Sequence, residues 1–65
     1  MNNYPTTLTN REKEIYDLVV TGMSDRDIAE ALNIATRTVS NHVARILSKY
    51  NIRDRKKLIY FYKNE

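Results

Sequence analysis

The chain has 65 residues with a net charge of +3, which is enough for one small domain, and it contains no cysteine and a single histidine. Disulfides and thiolate metal sites are therefore excluded, and one histidine cannot form a metal site alone, so we expect no metal and no cofactor. No stretch approaches the roughly 18 apolar residues that a membrane span needs. The N-terminus also lacks a signal-peptide pattern, so a cytoplasmic protein with no membrane or small-molecule partner is expected.

The charge is distributed unevenly along the chain. Residues 1–33 contain three basic and six acidic side chains, whereas residues 34–65 contain eight basic and two acidic ones, which gives −3 and +6. A basic C-terminal half favours a polyanionic partner such as DNA, although a solvated basic surface would give the same count. Glycine and proline occur once each, which favours helices over a turn-rich β fold.

Residues 1–7 show no helical period and are predicted to form a loose arm, with the domain itself at residues 8–65. Thr9 and Glu12 then form the T-x-x-E pattern of a capping box, which predicts the start of a first helix. Its apolar stripe consists of Ile15, Leu18 and Val19. Gly22 lies just past its end, where a left-handed residue closes a helix.

Three more helices are predicted in chain order. Ser24 caps a short second helix, Asn33 turns the chain, and a third helix starts near Thr36 and ends near Asn51. Asp54 is the predicted N-cap of a fourth helix. The inner positions of the second and third helices are Ile28, Ala29, Leu32, Val39, Val43, Ile46, Leu47 and Tyr50.

The second and third predicted helices, at about residues 24–50, have the lengths and short connection of a helix-turn-helix. The polar side of the third helix carries Arg37, Ser40, Asn41, Ala44, Arg45 and Ser48. Asn41 can pair with adenine, and Arg37 or Arg45 can bind guanine or phosphate. Thr36 and Thr38 lie in the first turn, which suits a phosphate. The alternative is an ordinary amphipathic helix whose outer face is polar by default.

Residues 8–43, LTNREKEIYDLVVTGMSDRDIAEALNIATRTVSNHV, resemble the LuxR/GerE/FixJ-type helix-turn-helix domain of bacterial transcription regulators. The resemblance continues to about residue 63 and includes S-x-x-x-I-A-x-x-L from Ser24 to Leu32. Further matching positions are Thr38, Val39, His42, Ile46, Lys49 and Arg55. It implies an all-α, four-helix domain that binds double-stranded DNA as a dimer, in the bacterial cytoplasm and on the nucleoid when bound. Contact with RNA polymerase is a candidate further interaction.

The resemblance also implies particular contacts. Ser40, Asn41 and Ala44 would lie in the major groove, and the DNA backbone would be contacted by Thr36, Arg37, Thr38, Arg45 and Lys49. Many members have lysine in place of Ser40, so base contacts cannot be carried over from them. They also have a serine N-cap where this chain has Ala35. The missing cap would lower the stability of the third helix by about 1 kcal/mol unless Thr36 takes that role.

Several charged residues are candidates for a structural role, a DNA-binding role or either one. Glu12 and Arg55 match family positions and are predicted to form an ion pair between the first and fourth helices. His42 could contact the DNA backbone or bond a neighbouring carbonyl within the fold. The basic residues Arg53, Arg55, Lys56 and Lys57 could bind phosphates or could simply be a solvated helix start. No arrangement of side chains suggests an enzyme.

The fourth helix contains five apolar or aromatic residues in a row, Leu58 to Tyr62. A helix cannot bury all five against its own domain, so some are predicted to face a partner. The predicted dimer interface consists of Leu58, Ile59, Phe61 and Tyr62. The alternative is a protein-interaction module that pairs with another regulator through this helix and does not bind DNA. The start at Met1 and the short arm favour a standalone protein over the C-terminal domain of a longer regulator.

Overall fold

The computed structural model describes residues 8–64, and this part of the chain consists of four α-helices without a strand. The helices are α1 (Asn10–Val20), α2 (Asp25–Leu32), α3 (Thr36–Lys49) and α4 (Arg55–Lys63). The predicted all-α, four-helix domain is thus confirmed. The arm predicted at residues 1–7 lies outside the described residues. Within residues 8–64, each helix is too short or too polar to cross a membrane.

Three helices begin with the predicted side-chain caps. The Thr9 hydroxyl accepts a hydrogen bond from the backbone N–H of Glu12 (3.1 Å), and the Glu12 carboxylate accepts one from the N–H of Thr9 (2.9 Å). Ser24 accepts a bond from an N–H in the first turn of α2 (3.1 Å), and Asp54 does the same for α4 (2.8 Å). These bonds satisfy N–H groups that a helix cannot satisfy internally.

Three helices end in the same way, with a residue at positive φ. Gly22 (φ 95°), Asn33 (φ 57°) and Asn51 (φ 59°) adopt this conformation after α1, α2 and α3. The next residue donates its N–H back to a carbonyl in the last turn, at 3.4, 3.0 and 2.9 Å respectively, which is the Schellman arrangement. The residues that follow, Met23, Ile34 and Ile52, pack against the core. Each turn therefore also fixes the direction of the next segment.

The core lies where α3 crosses α1 and α2, and α4 packs against α1. Its fully buried side chains are Ile15, Val19, Ile28, Val39, Ile46 and Leu58. Leu58 was predicted to face a partner, and that prediction is wrong because only 1% of it is exposed. It is the buried residue of α4, and its burial holds that helix on the domain.

The start of α3 differs from the other three because Ala35 occupies the N-cap position. Its backbone (φ −71°, ψ 144°) has the extended conformation of a capping residue, but no side-chain bond caps the helix there. Thr36 does not take over this role and is instead the first residue of the helix.

We therefore expect Ala35→Ser to raise the free energy of unfolding by about 1 kcal/mol, because the hydroxyl would accept an N–H of the first turn without a change of backbone. Urea denaturation followed by circular dichroism measures this change. Ser24→Ala is the matched control, since it removes an existing cap and should lower the free energy by about the same amount. An unchanged midpoint for Ala35→Ser would show that the first turn of α3 gains nothing from a cap.

Candidate nucleic-acid interface

The outward side of α3 carries all of the residues that were predicted to contact DNA. We call this surface the α3 face, and its members are Thr36, Arg37, Thr38, Ser40, Asn41, Ala44, Arg45, Ser48 and Lys49. All nine are exposed. They are exposed because Val39, Val43 and Ile46 occupy the opposite stripe of the helix and are buried. Their contact with DNA stays a prediction.

Two features of the α3 face suit a nucleic acid. Its centre is formed by the small side chains of Ser40 and Ala44, so a groove wall could approach the helix backbone closely. Its first turn has no side-chain cap, so backbone N–H groups at the positive end of the helix dipole are available to an anion. A phosphate bound at this turn would orient the helix, and bases could then be read further along it.

Lys49 makes a contact within the fold that the sequence did not reveal. Its ammonium group lies 2.6 Å from Oε1 of Glu12, whose side chain is 3% exposed. The predicted Glu12–Arg55 pair is therefore wrong, because Lys49 at the end of α3 occupies that carboxylate. The Lys49 ammonium and the Thr9 N–H hold the pKa of Glu12 below its ordinary value, and they outweigh the opposing effect of burial. The pair fastens α3 to α1, and it leaves Lys49 less available to phosphates.

Arg55 pairs with Asp25 instead of Glu12. One guanidinium nitrogen donates to Oδ1 of Asp25, and the other donates to the backbone carbonyl of Met23 at 2.7 Å. The hydroxyl of Ser40 donates to Oδ2 of the same Asp25, also at 2.7 Å. Burial alone would raise the pKa of Asp25, but the bonds from Arg55 and Ser40 more than compensate and lower it. Asp25 therefore connects α2, the α3 face and the start of α4.

These pairs determine which cations are left to attract a polyanion. Arg37 and Arg45 are exposed, and neither takes part in an ion pair within residues 8–64. Arg53, Lys56 and Lys57 are also exposed at the start of α4, whereas Arg55 is withdrawn into its contact with Asp25. Of the four basic residues that were candidates to bind phosphates near the start of α4, three are therefore left for that role.

The exposed aromatic residues of α4 form a second surface, next to an open groove. Tyr16 stacks on Tyr50 with ring centres 5.6 Å apart, and Tyr62 meets the edge of Tyr16 at 6.1 Å. The groove beside them has a volume of about 480 Å³ and is lined by Tyr16, Tyr50, Asn51, Ile52, Leu58, Phe61 and Tyr62. Phe61 and Tyr62 are about half exposed, while Ile59 packs partly against the core.

His42 lies at the edge of the buried stripe of α3 and is half-buried. Its Nδ1 atom is buried and has no hydrogen-bond partner in the described part of the chain. The predicted bond to a neighbouring carbonyl is therefore absent at this nitrogen, and contact with a DNA backbone stays a prediction. Within residues 8–64 there is also no group of three acidic or histidine side chains that could hold a metal ion.

Sequence reasoning missed the residues whose partners lie far away along the sequence. Asp25 was treated only as an acid in the first turn of α2, and nothing in its neighbourhood indicates Ser40 or Arg55, which are 15 and 30 positions away. The Tyr16–Tyr50 stack is likewise distant in sequence. The signal that could have pointed to Asp25 is the excess of acids before residue 34, two of which, Glu12 and Asp25, pair with cations of the basic half.

Nearly the whole chain is similar to known regulatory proteins. The family model described as "Bacterial regulatory proteins, luxR family" matches residues 6–62. The chain is 41% identical over 59 residues to the probable transcriptional regulator ycf29 of Pyropia yezoensis, and 52% identical over 48 residues to the transcriptional regulatory protein DegU of Brevibacillus brevis. It is 43% identical over 54 residues to the response regulator protein VraR of Staphylococcus aureus.

These matches cover 91%, 74% and 83% of this chain but only 27%, 20% and 26% of the relatives. The chain thus spans about a quarter of the length of the curated relatives that it matches.

The lowered pKa of Glu12 makes stability depend on pH. Because the folded pKa lies below the ordinary value of 4.5, the carboxylate stabilises the fold fully above that pH and loses this effect as the pH falls through the folded pKa. We expect Glu12→Gln to lower the free energy of unfolding at pH 7 by about 1.5 to 3 kcal/mol, the contribution of hydrogen bonds to a charged group. The deficit relative to wild type should shrink towards pH 3.

Urea denaturation at a series of pH values measures this difference. Glu14→Gln is the matched control, because Glu14 is on the same helix but is exposed and pairs with Arg11 at the surface. Its difference from wild type should be small at every pH. A deficit for Glu12→Gln that is equally large at pH 3 and pH 7 would contradict the ionic role of Glu12.

Proposed function

Since the chain belongs to the luxR family of bacterial regulatory proteins, we propose that it binds double-stranded DNA as a sequence-specific transcription regulator, with α3 in the major groove. The observation that carries the proposal is the α3 face, which is exposed over its whole length and has small residues at its centre. The names of the relatives, transcriptional and response regulators, agree with this function. The protein would act in the bacterial cytoplasm, on nucleoid DNA.

Binding would depend on two kinds of contact. Phosphates would be held by the first turn of α3 at Thr36 and Thr38 and by the guanidinium groups of Arg37 and Arg45, which gives affinity and orientation. Base edges would be read by Ser40, Asn41 and Ala44, where Asn41 has the amide geometry for adenine. Ser48 and Lys49, at the end of the helix, would meet the backbone as the groove turns away.

We propose further that α4 forms a dimer with a second copy of the chain. Phe61 and Tyr62 lie on the rim of the groove and expose about half of their surface to solvent. The side chains that line the groove below them are mostly apolar, so a partner that covers it would bury apolar surface. The same helix in a second copy could cover this groove through a two-fold axis. Two α3 helices would then read half-sites about one helical turn apart. An activator built in this way would also contact RNA polymerase.

The exposed aromatic residues also support a second candidate function, an interaction module. In that case α4 would pair with a different regulator, and the chain would modulate that regulator without binding DNA. Binding to DNA at low salt separates the two candidates, because only the first requires it.

We expect Arg37→Ala and Arg45→Ala each to weaken DNA binding and to reduce the salt dependence. The slope of log affinity against log salt concentration should decrease by about 0.9 for each phosphate that the variant no longer neutralises. Fluorescence anisotropy titrations with DNA at several salt concentrations measure both quantities. Arg11→Ala is the matched control, because Arg11 is on α1 and pairs with Glu14. Unchanged affinity and slope in both α3 variants would show that the α3 face does not contact DNA.

We expect Phe61→Ala to weaken the dimer about tenfold or more, as truncation of an aromatic residue central to an interface does. Sedimentation equilibrium of the full chain measures the dissociation constant. Lys56→Ala is the control, since Lys56 is exposed on α4 and does not line the groove, whereas Tyr60 packs edge-on against Phe61. Equal weakening by both variants, or a wild-type chain that stays monomeric, would contradict a dimer built on this groove.

A further inference from the structure

The hydrogen bond between Ser40 and Asp25 bears on which bases the α3 face can read. Ser40 lies at the centre of that face, is exposed, and donates its hydroxyl hydrogen to Oδ2 of Asp25 at 2.7 Å. The contact joins the reading helix to the first residue of α2. The inference that follows rests on the proposed function, because it concerns the same surface.

The direction of this bond is set by the charge of Asp25. An ionised carboxylate can only accept hydrogen bonds, and the lowered pKa of Asp25 keeps it ionised near neutral pH. A serine hydroxyl has one hydrogen and two acceptor lone pairs. Since its hydrogen is committed to Asp25, Ser40 can offer a ligand only its lone pairs.

Arg55 holds the Asp25 carboxylate in the position that Ser40 contacts. Its guanidinium group donates to the other oxygen of Asp25 and to the carbonyl of Met23. The carboxylate is therefore held from two sides and its charge is balanced, so a nearby phosphate is not repelled by an unpaired anion. If Ser40 turned away from Asp25, the half-buried carboxylate would lose one of its donors, which carries an energetic cost.

The edges of the bases in the major groove differ in the groups that they present. Adenine and cytosine have an exocyclic amino group that donates, whereas guanine and thymine present carbonyl oxygens that accept. A free serine can serve either kind, because it both donates and accepts. We propose that Asp25 is a specificity-determining positioning residue: it makes Ser40 an obligate acceptor, so Ser40 reads a base with an exocyclic amino group, adenine or cytosine.

The test begins with selection of DNA from a random double-stranded library by the full chain. Comparison of wild type with Ser40→Ala identifies the base position that Ser40 reads, as the position whose preference disappears. Wild type should favour adenine or cytosine there by about two- to tenfold, the effect of one hydrogen bond. Ser40→Ala removes one donor from Asp25, so a modest decrease in thermal stability is expected, and circular dichroism checks that the variant is folded under the conditions of the selection.

Asp25→Asn reverses the polarity of the arrangement. The amide oxygen of the new side chain would face the Arg55 donor, so its NH₂ group would donate to Ser40 and free the serine hydrogen. We expect the preference for adenine or cytosine at the same base position to weaken and guanine or thymine to become accepted there, because the freed hydroxyl can both donate and accept. Asp27→Asn is the matched control, since it removes the same charge from an exposed position on the same helix and should leave the preference as in wild type.

Each outcome decides between the alternatives. A wild-type preference for guanine or thymine at the Ser40 position, or no change in any preference with Ser40→Ala, would overturn the inference while leaving the proposed function in place. An equally strong preference for adenine or cytosine in a folded Asp25→Asn domain would also overturn it. If wild type selects no DNA sequence at all, the proposed function fails and the inference fails with it. Disappearance of the preference in Ser40→Ala, together with acceptance of guanine or thymine in Asp25→Asn, would support the inference.

Discussion

The burial of the apolar stripe of α3 is the constraint on which the other surfaces depend. Val39, Val43 and Ile46 are at most 6% exposed, because they fill the space between α1 and α2. A helix with one stripe fixed in this way has no rotational freedom, so the residues of its opposite side must face outward. The position of Ser40, Asn41 and Ala44 at the surface is therefore a consequence of core packing.

Two carboxylates of the acidic N-terminal half then fasten the basic C-terminal half to the core. Glu12 binds Lys49 at the end of α3, and Asp25 binds Arg55 at the start of α4. Both carboxylates are partly or fully removed from water, and in each case the hydrogen bonds from the partners outweigh the effect of burial and favour the charged form. The pairing uses two of the cations that make the second half basic. Arg37 and Arg45, together with the exposed basic residues around the start of α4, are thereby left to attract a polyanion.

The parts of the fold that could be predicted are those whose cause is local. Thr9, Ser24 and Asp54 each cap a helix through an N–H two or three residues away, and Asn33 and Asn51 turn the chain by their own conformation. Partners 30 or 37 positions apart leave no such trace, so Glu12 was assigned the wrong cation. The α4 run of apolar residues has no period, and its inward residue, Leu58, could not be identified without the packing of α1.

Because the domain is small, a residue of α2 and a residue of α1 each make contact with two others, one on α3 or at its end and one on α4. Asp25 holds Ser40 on the α3 face and Arg55 at the start of α4, while Tyr16 supports both Tyr50 at the end of α3 and Tyr62 on α4. The hydrogen bonds at Asp25 are directional, so they fix the orientation of a hydroxyl on the α3 face as well as its position. The hydrogen-bonding polarity of Ser40 on the α3 face is therefore set by a residue of α2 and a cation of α4, as well as by the sequence of α3 itself.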